Sequence, residues 1–100
     1  MEEWKFLVQK DGDRAWLPLD SPDVEILEGR YRIVARFAQA DTEVQICICH
    51  LAIAEDPPKR RLQKRSSRTN ADGLIVVAPY TYLSSGIWEF SCFLPTPYQN

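Results

Sequence analysis

Between Arg30 and Phe37 the large apolar residues recur every second position, with Tyr31, Ile33, Ala35 and Phe37 alternating against Arg30, Arg32, Val34 and Arg36. A helix needs spacings of three and four, so this segment predicts a strand with one face on a core. The rest of the chain has the same short period. Trp4, Phe6 and Val8 alternate, Asp11-Gly12 is a hairpin turn signal, and 14–19 forms a second run anchored by Trp16. Pro18 places that run at a sheet edge or cuts it short, because proline cannot donate to a ladder. Asp20-Ser21-Pro22-Asp23 is turn chemistry, and 24–27 is a short extended piece.

After Asp41 and Thr42, residues 43–53 predict a long, β-branched strand in a central position. Glu55-Asp56-Pro57-Pro58 ends it, a basic segment follows, and 69–73 is another turn cluster. Residues 74–78 predict a strand stopped by Pro79, 80–86 a turn, and 86–93 a last strand with Trp88, Phe90 and Cys92 on one face. About seven short strands, with turn signals every 8 to 12 residues and no amphipathic helix, predict an all-β antiparallel β-sandwich carrying a basic loop at roughly 57–73.

One hundred residues, 45% of them apolar, suit one domain with its own core. The expected extent is 1–94, with Pro95 and Pro97 opening a disordered tail over 95–100. The first residues are acidic where a secretory leader would be basic. The longest near-apolar run, 46–54, is interrupted by His50 and falls far short of the roughly twenty residues of a membrane helix. Three cysteines are too few and too odd in number for a secreted disulfide scaffold, so reduced thiols and a cytoplasmic setting are expected. No membrane role follows.

Charge is the most uneven property of the chain. Lys59, Arg60, Arg61, Lys64, Arg65 and Arg68 lie within ten residues, and no acid occurs between Asp56 and Asp72. The formal net charge of −2 therefore divides into +6 on this segment and −8 on everything else.

The closing run Tyr80-Thr81-Tyr82-Leu83-Ser84-Ser85-Gly86-Ile87-Trp88-Glu89-Phe90 resembles the end of immunoglobulin-like sandwiches, where a glycine-bearing turn feeds an aromatic last strand after a tyrosine corner. The opening 4–19 and the segment 58–70 are similar to N-terminal regions of uncharacterised cyanobacterial proteins. This resemblance implies an immunoglobulin-like module at the start of a longer polypeptide, and it brings no activity and no catalytic residues. The cysteine bridge and packed tryptophan of antibody domains are not evident.

Few residues offer catalytic chemistry. Cys47, Cys49, His50 and Cys92 are zinc-competent, but on a strand His50 points away from Cys47 and Cys49, and no C-x-x-C knuckle exists. Core thiols packed as small hydrophobes are the expected reading, with a Cys47–Cys92 or Cys49–Cys92 bridge as the oxidised alternative. His50 is the only histidine and has no nucleophile elbow beside it, so no catalytic residue is assigned. The carboxylate pairs Asp11/Asp13, Asp20/Asp23 and Glu55/Asp56 all fall in turns. Trp4, Trp16 and Trp88 suit core packing better than a sugar platform. Arg30, Arg32 and Arg36 form a second cationic row, with Glu43 or Glu25 expected to neutralise it across strands.

The basic segment carries the functional expectation. Arginine and lysine clusters bind carboxylates and phosphates, and Ser66 and Ser67 among the arginines also make a modification site conceivable. The expected role is a non-catalytic, cofactor-free and metal-free interaction module. It docks an acidic protein or another domain of the same polypeptide through Lys59, Arg60, Arg61, Lys64, Arg65 and Arg68. Nucleic acid is the alternative, weakened by the lack of any aromatic between Phe37 and Tyr80 on which a base could stack.

Overall fold

The computed structural model describes residues 4–21 and 23–95. These form eight strands: β1 (Lys5–Lys10), β2 (Leu17–Leu19), β3 (Asp23–Ile26), β4 (Gly29–Arg36), β5 (Glu43–Ala52), β6 (Lys59–Arg68), β7 (Leu74–Leu83) and β8 (Gly86–Phe93). There is no helix among the described residues. Two antiparallel four-stranded sheets result, ordered β2-β1-β4-β7 and β3-β8-β5-β6, consistent with a β-sandwich. The expected tail lies, beyond Pro95, outside the described residues.

Alternation decides what each strand buries. In the first sheet Phe6 and Val8 stand opposite Ala35 and Ile33, so the predicted apolar face of β4 is its core face. In the second, Ile46, Ile48 and His50 stand opposite Cys92, Phe90 and Trp88, which puts both apolar rows on the inner side. Ile33, Val44 and Val77 are fully buried, and Ala35, Ile46, Ile75 and Phe90 complete the centre of the core. The hairpin read from Asp11-Gly12 joins β1 to β2, an edge strand carrying Pro18; the expected run 14–19 is also cut to Leu17–Leu19, which leaves Trp16 outside it.

Three expectations change. An immunoglobulin sandwich sets its first, second, fifth and fourth strands against the third, sixth and seventh. Here eight strands are ordered differently, and the last lies inside its sheet between β3 and β5. Its apolar inner row of Trp88, Phe90 and Cys92 suits a central position. The bond typical of a tyrosine corner is made by Tyr31, whose hydroxyl donates to the Leu27 carbonyl at 2.7 Å. Tyr80 instead donates to Gln9 Oε1 at 3.0 Å.

Pro79 does not stop its strand. β7 continues to Leu83 because two register irregularities, opposite Tyr31 to Val34, absorb extra residues around 77–80. There Val77 and Ala78 are both buried, the sign of a bulge, and β7 is a sheet edge where a missing N–H is tolerated.

The largest correction concerns the basic segment. It is not a loop. Lys59–Arg68 is a ten-residue edge strand paired with β5 from Glu43↔Arg68 to Ala52↔Lys59. Buried and apolar, β5 needs partners for its backbone groups on both sides, and β6 supplies them whatever its side chains.

Candidate functional site

Pairing with β5 sorts the six cations onto two faces. Lys59, Arg61 and Arg65 stand opposite Ala52, His50 and Ile46 and face inward, with Gln63 and Ser67 between and beyond them. Arg60, Lys64 and Arg68 stand opposite Leu51, Cys47 and Glu43 and face outward with Leu62. A strand whose inward positions are all polar cannot close over an apolar core. β6 therefore stands off from β7, leaving a cleft between the two sheet edges.

Several of these cations are already engaged within the chain. Lys59 pairs with Glu55 at 3.5 Å, and Arg68 meets the Asp41 carboxylate at 3.6 Å and donates to its backbone oxygen at 2.7 Å. Arg60 Nε donates to Cys49 Sγ at 3.2 Å. Arg65 Nη2 crosses to the other sheet and donates to the carbonyls of Val76 and Val77 at 2.9 and 2.6 Å. Successive carbonyls of a regular strand point to opposite edges. The irregularity at Val77–Ala78 brings this pair within reach of one guanidinium. Among the described residues, Arg61 and Lys64 make no ion pair.

The outward face is a mixed surface. Leu62 and Phe93 are 55% and 53% exposed, and both line a shallow depression of about 400 Å³ with Cys47, Cys49, Arg60, Lys64 and one acid, Glu89. At the opposite side of the same sheet, Asp23 and Glu25 lie on the edge strand β3, whereas Glu89 of β8, directly across from Asp23, reaches the depression itself. Basic charge thus collects at the β6 edge and acidic charge at the β3 edge.

The second cationic row is held differently from the expectation. Glu25 and Glu43 belong to the other sheet and do not neutralise it. Arg30 pairs with Asp11 at 3.5 Å. Arg32 donates to Gln9 Oε1 at 2.8 Å, and its guanidinium lies 4.5 Å from the Trp16 ring and 4.8 Å from the Tyr80 ring. This arginine is packed between aromatics as part of the fold.

The three tryptophans form no common platform. Trp4 stacks on Phe37 at 4.2 Å, Trp16 meets Arg32, and Trp88 stacks on His50 at 4.1 Å. The zinc-competent side chains are split as well. Cys47 and Cys49 face outward while His50 and Cys92 face inward, and no group of three or more potential metal ligands gathers among the described residues. The same split excludes both disulfide alternatives, and all three cysteines are free.

Burial pushes the Cys92 thiol up to about 12, against a small opposing pull from Arg65. Cys47 is half-buried and is the most accessible of the three thiols. Timed alkylation at pH 8 with mass-spectrometric readout is expected to label Cys47 first and Cys92 only on unfolding. The unfolded thiol ionises near pH ~8.5, so between there and about 12 the unfolded chain is the state that has lost its proton. Stability is accordingly full below pH ~8.5 and falls as pH rises. Urea melts at pH 7 and 10 are expected to show this fall, with a smaller fall in Cys92→Val.

Compared with known proteins, the chain matches no family model, no curated protein and no solved structure. Reading the segment as a loop concealed the division of its cations between two faces. It also hid Leu62, although the spacing Arg60-x-Leu62-x-Lys64 is the period of a strand.

Proposed function

We propose that this chain is a non-catalytic interaction module that docks an acidic protein segment on the outward face of β5 and β6. The observation that carries this reading is the exposed Leu62 between Arg60 and Lys64, over a depression that Phe93 also lines. An exposed apolar side chain flanked by charge fits the apolar centre and polar rim of a protein interface. The cations attract and orient an acidic segment, and Leu62 supplies the area that water leaves on contact. Lys64 and Leu62 hold no other part of the chain by an ion pair or hydrogen bond, so both are free for a partner among the described residues. The three free cysteines favour a reducing, cytoplasmic setting for the encounter.

The test is a salt titration of a fluorescent glutamate-rich peptide with central leucines, beside RNA and DNA oligonucleotides of equal charge. Peptide binding that weakens steeply with salt is expected, with a loss of at least tenfold in an Arg60→Gln, Lys64→Gln double variant. Leu62→Ser is expected to weaken the peptide several-fold while leaving the salt slope unchanged. Oligonucleotide binding with the same dependence on Arg60 and Lys64, and no peptide binding, would replace this reading with recognition of nucleic acid.

A further inference from the structure

We propose that the cleft between the free edges of β6 and β7 is a binding site for a small amphipathic carboxylate, a molecule with one anionic head and an apolar body. This site lies on the inward side of β6 and does not depend on the docking face described above.

The cleft has a volume of about 740 Å³, within the range of small-molecule sites. Its floor is apolar and comes from both sheets: Ile48, Trp88 and Phe90 on one side, Val77, Ala78 and Leu83 on the other. Two cations, Arg61 and Arg65, stand at its β6 wall, and among the described residues no aspartate or glutamate lines it. An apolar body removes the floor from water, and a negative head meets the two cations of the β6 wall.

Arg65 gives the site its geometry. Both Val76 and Val77 carbonyls hold Nη2, which fixes the guanidinium across the mouth, while Nε and Nη1 have no partner within the chain among the described residues. Nε and Nη1 lie on different edges of the guanidinium, so it offers an anionic head a fixed positive charge and a single N–H bond at a time. Holding it in place beforehand lowers the ordering cost of binding. Arg61, four residues away on the same face, adds positive potential without being tied to the chain by an ion pair.

Inward-pointing charge on an edge strand also guards against sheet extension. Freely solvated side chains would serve that purpose equally well. A clasped guanidinium over an apolar floor is a more specific arrangement. A polyphosphate suits it poorly, because extra charges would be pressed against Trp88, Phe90 and Leu83.

The probe is decanoate, with acetate and 1-decanol as controls for head and body, measured by calorimetry below the micellar concentration. Decanoate is expected to bind at least a hundredfold more tightly than acetate and at least tenfold more tightly than decanol. Arg65→Gln is expected to lose at least tenfold in decanoate affinity and Arg61→Gln about threefold, while Arg60→Gln on the outward face changes nothing. Since Arg65→Gln also cuts the clasp, the second readout uses the unaltered protein. On adding decanoate, the Trp88 indole resonance and the methyl resonances of Ile48, Val77 and Leu83 are expected to shift, and those of Leu62 to stay. No decanoate binding at 1 mM ligand (roughly −4 kcal/mol), equal binding of decanol, or shifts confined to the outward faces would each overturn the proposal.

Discussion

Gly86→Ala is expected to destabilise the domain by about 4 kcal/mol, the largest single effect predicted for this chain. Gly86 opens β8 with φ +142°, a conformation that side chains rarely adopt. Space is also lacking: a Cβ there would stand 2.5 Å from the Leu51 carbonyl oxygen and 2.7 Å from His50 Nε2. The Leu51 backbone belongs to the central strand β5, and His50 is fixed by its stack on Trp88 and its contact with the Ser85 carbonyl at 3.1 Å. Neither neighbour can move without disturbing the floor of the inter-sheet cleft. Gly12→Ala is the control, because Gly12 also has a positive φ, of +97°, but among the described residues nothing lies within 4 Å of its would-be Cβ. It is expected to cost only about 1 kcal/mol of backbone strain. Urea melts of the two variants separate strain from collision, and equal losses would contradict the close contact at Gly86.

Thr69→Val is expected to cost about 2 kcal/mol through unmade hydrogen bonds, with shape preserved. Thr69 is 2% exposed and sits where the chain crosses from β6 in one sheet to β7 in the other. Its hydroxyl accepts from the Thr42 N–H at 2.8 Å and donates to the Gln39 carbonyl at 3.0 Å, tying the crossing to the loop before β5. Valine fills the same volume and leaves both backbone groups without that partner. Thr69→Ser keeps the hydroxyl and loses one methyl, for about 1 kcal/mol. A valine variant more stable than the serine variant would show that packing, not the hydroxyl, holds this crossing.

Period-two alternation made most of the sandwich legible. The faces of β1 and β4, the Asp11-Gly12 hairpin, the short edge strand around Pro18 and the central place of β5 all follow from where apolar residues and turn formers fall. β6 was not legible because alternation is a burial signal, and this strand has little to bury. Nine of its ten residues are polar, so neither face stands out. Its strand character comes from β5, a tertiary demand that composition does not record. Missing β6 as a strand meant missing its two faces, and with them the cleft and the exposed Leu62. Pro79 misled for a related reason, since a bulge on an edge strand removes the requirement that a proline normally breaks.

The six cationic residues of the candidate site were visible at once, but their separate duties were not. Arg65 and Arg68 bond to backbone carbonyls distant in sequence, and no local pattern distinguishes them from Lys64. Sequence showed the charge; register decided what each charge could reach.

The separation of Asp23 and Glu25 on β3 from the β6 cations gives the second sheet an electric dipole lying in its own plane, across the strands. Beyond a screening length of roughly 8 Å in physiological salt neither the net charge nor the dipole is strongly felt. Nearer than that, a chain of net −2 behaves as a cation toward whatever approaches the β6 edge and as an anion toward whatever approaches β3. An incoming charged surface turns the domain before it touches it, so orientation is settled during approach and contact completes it.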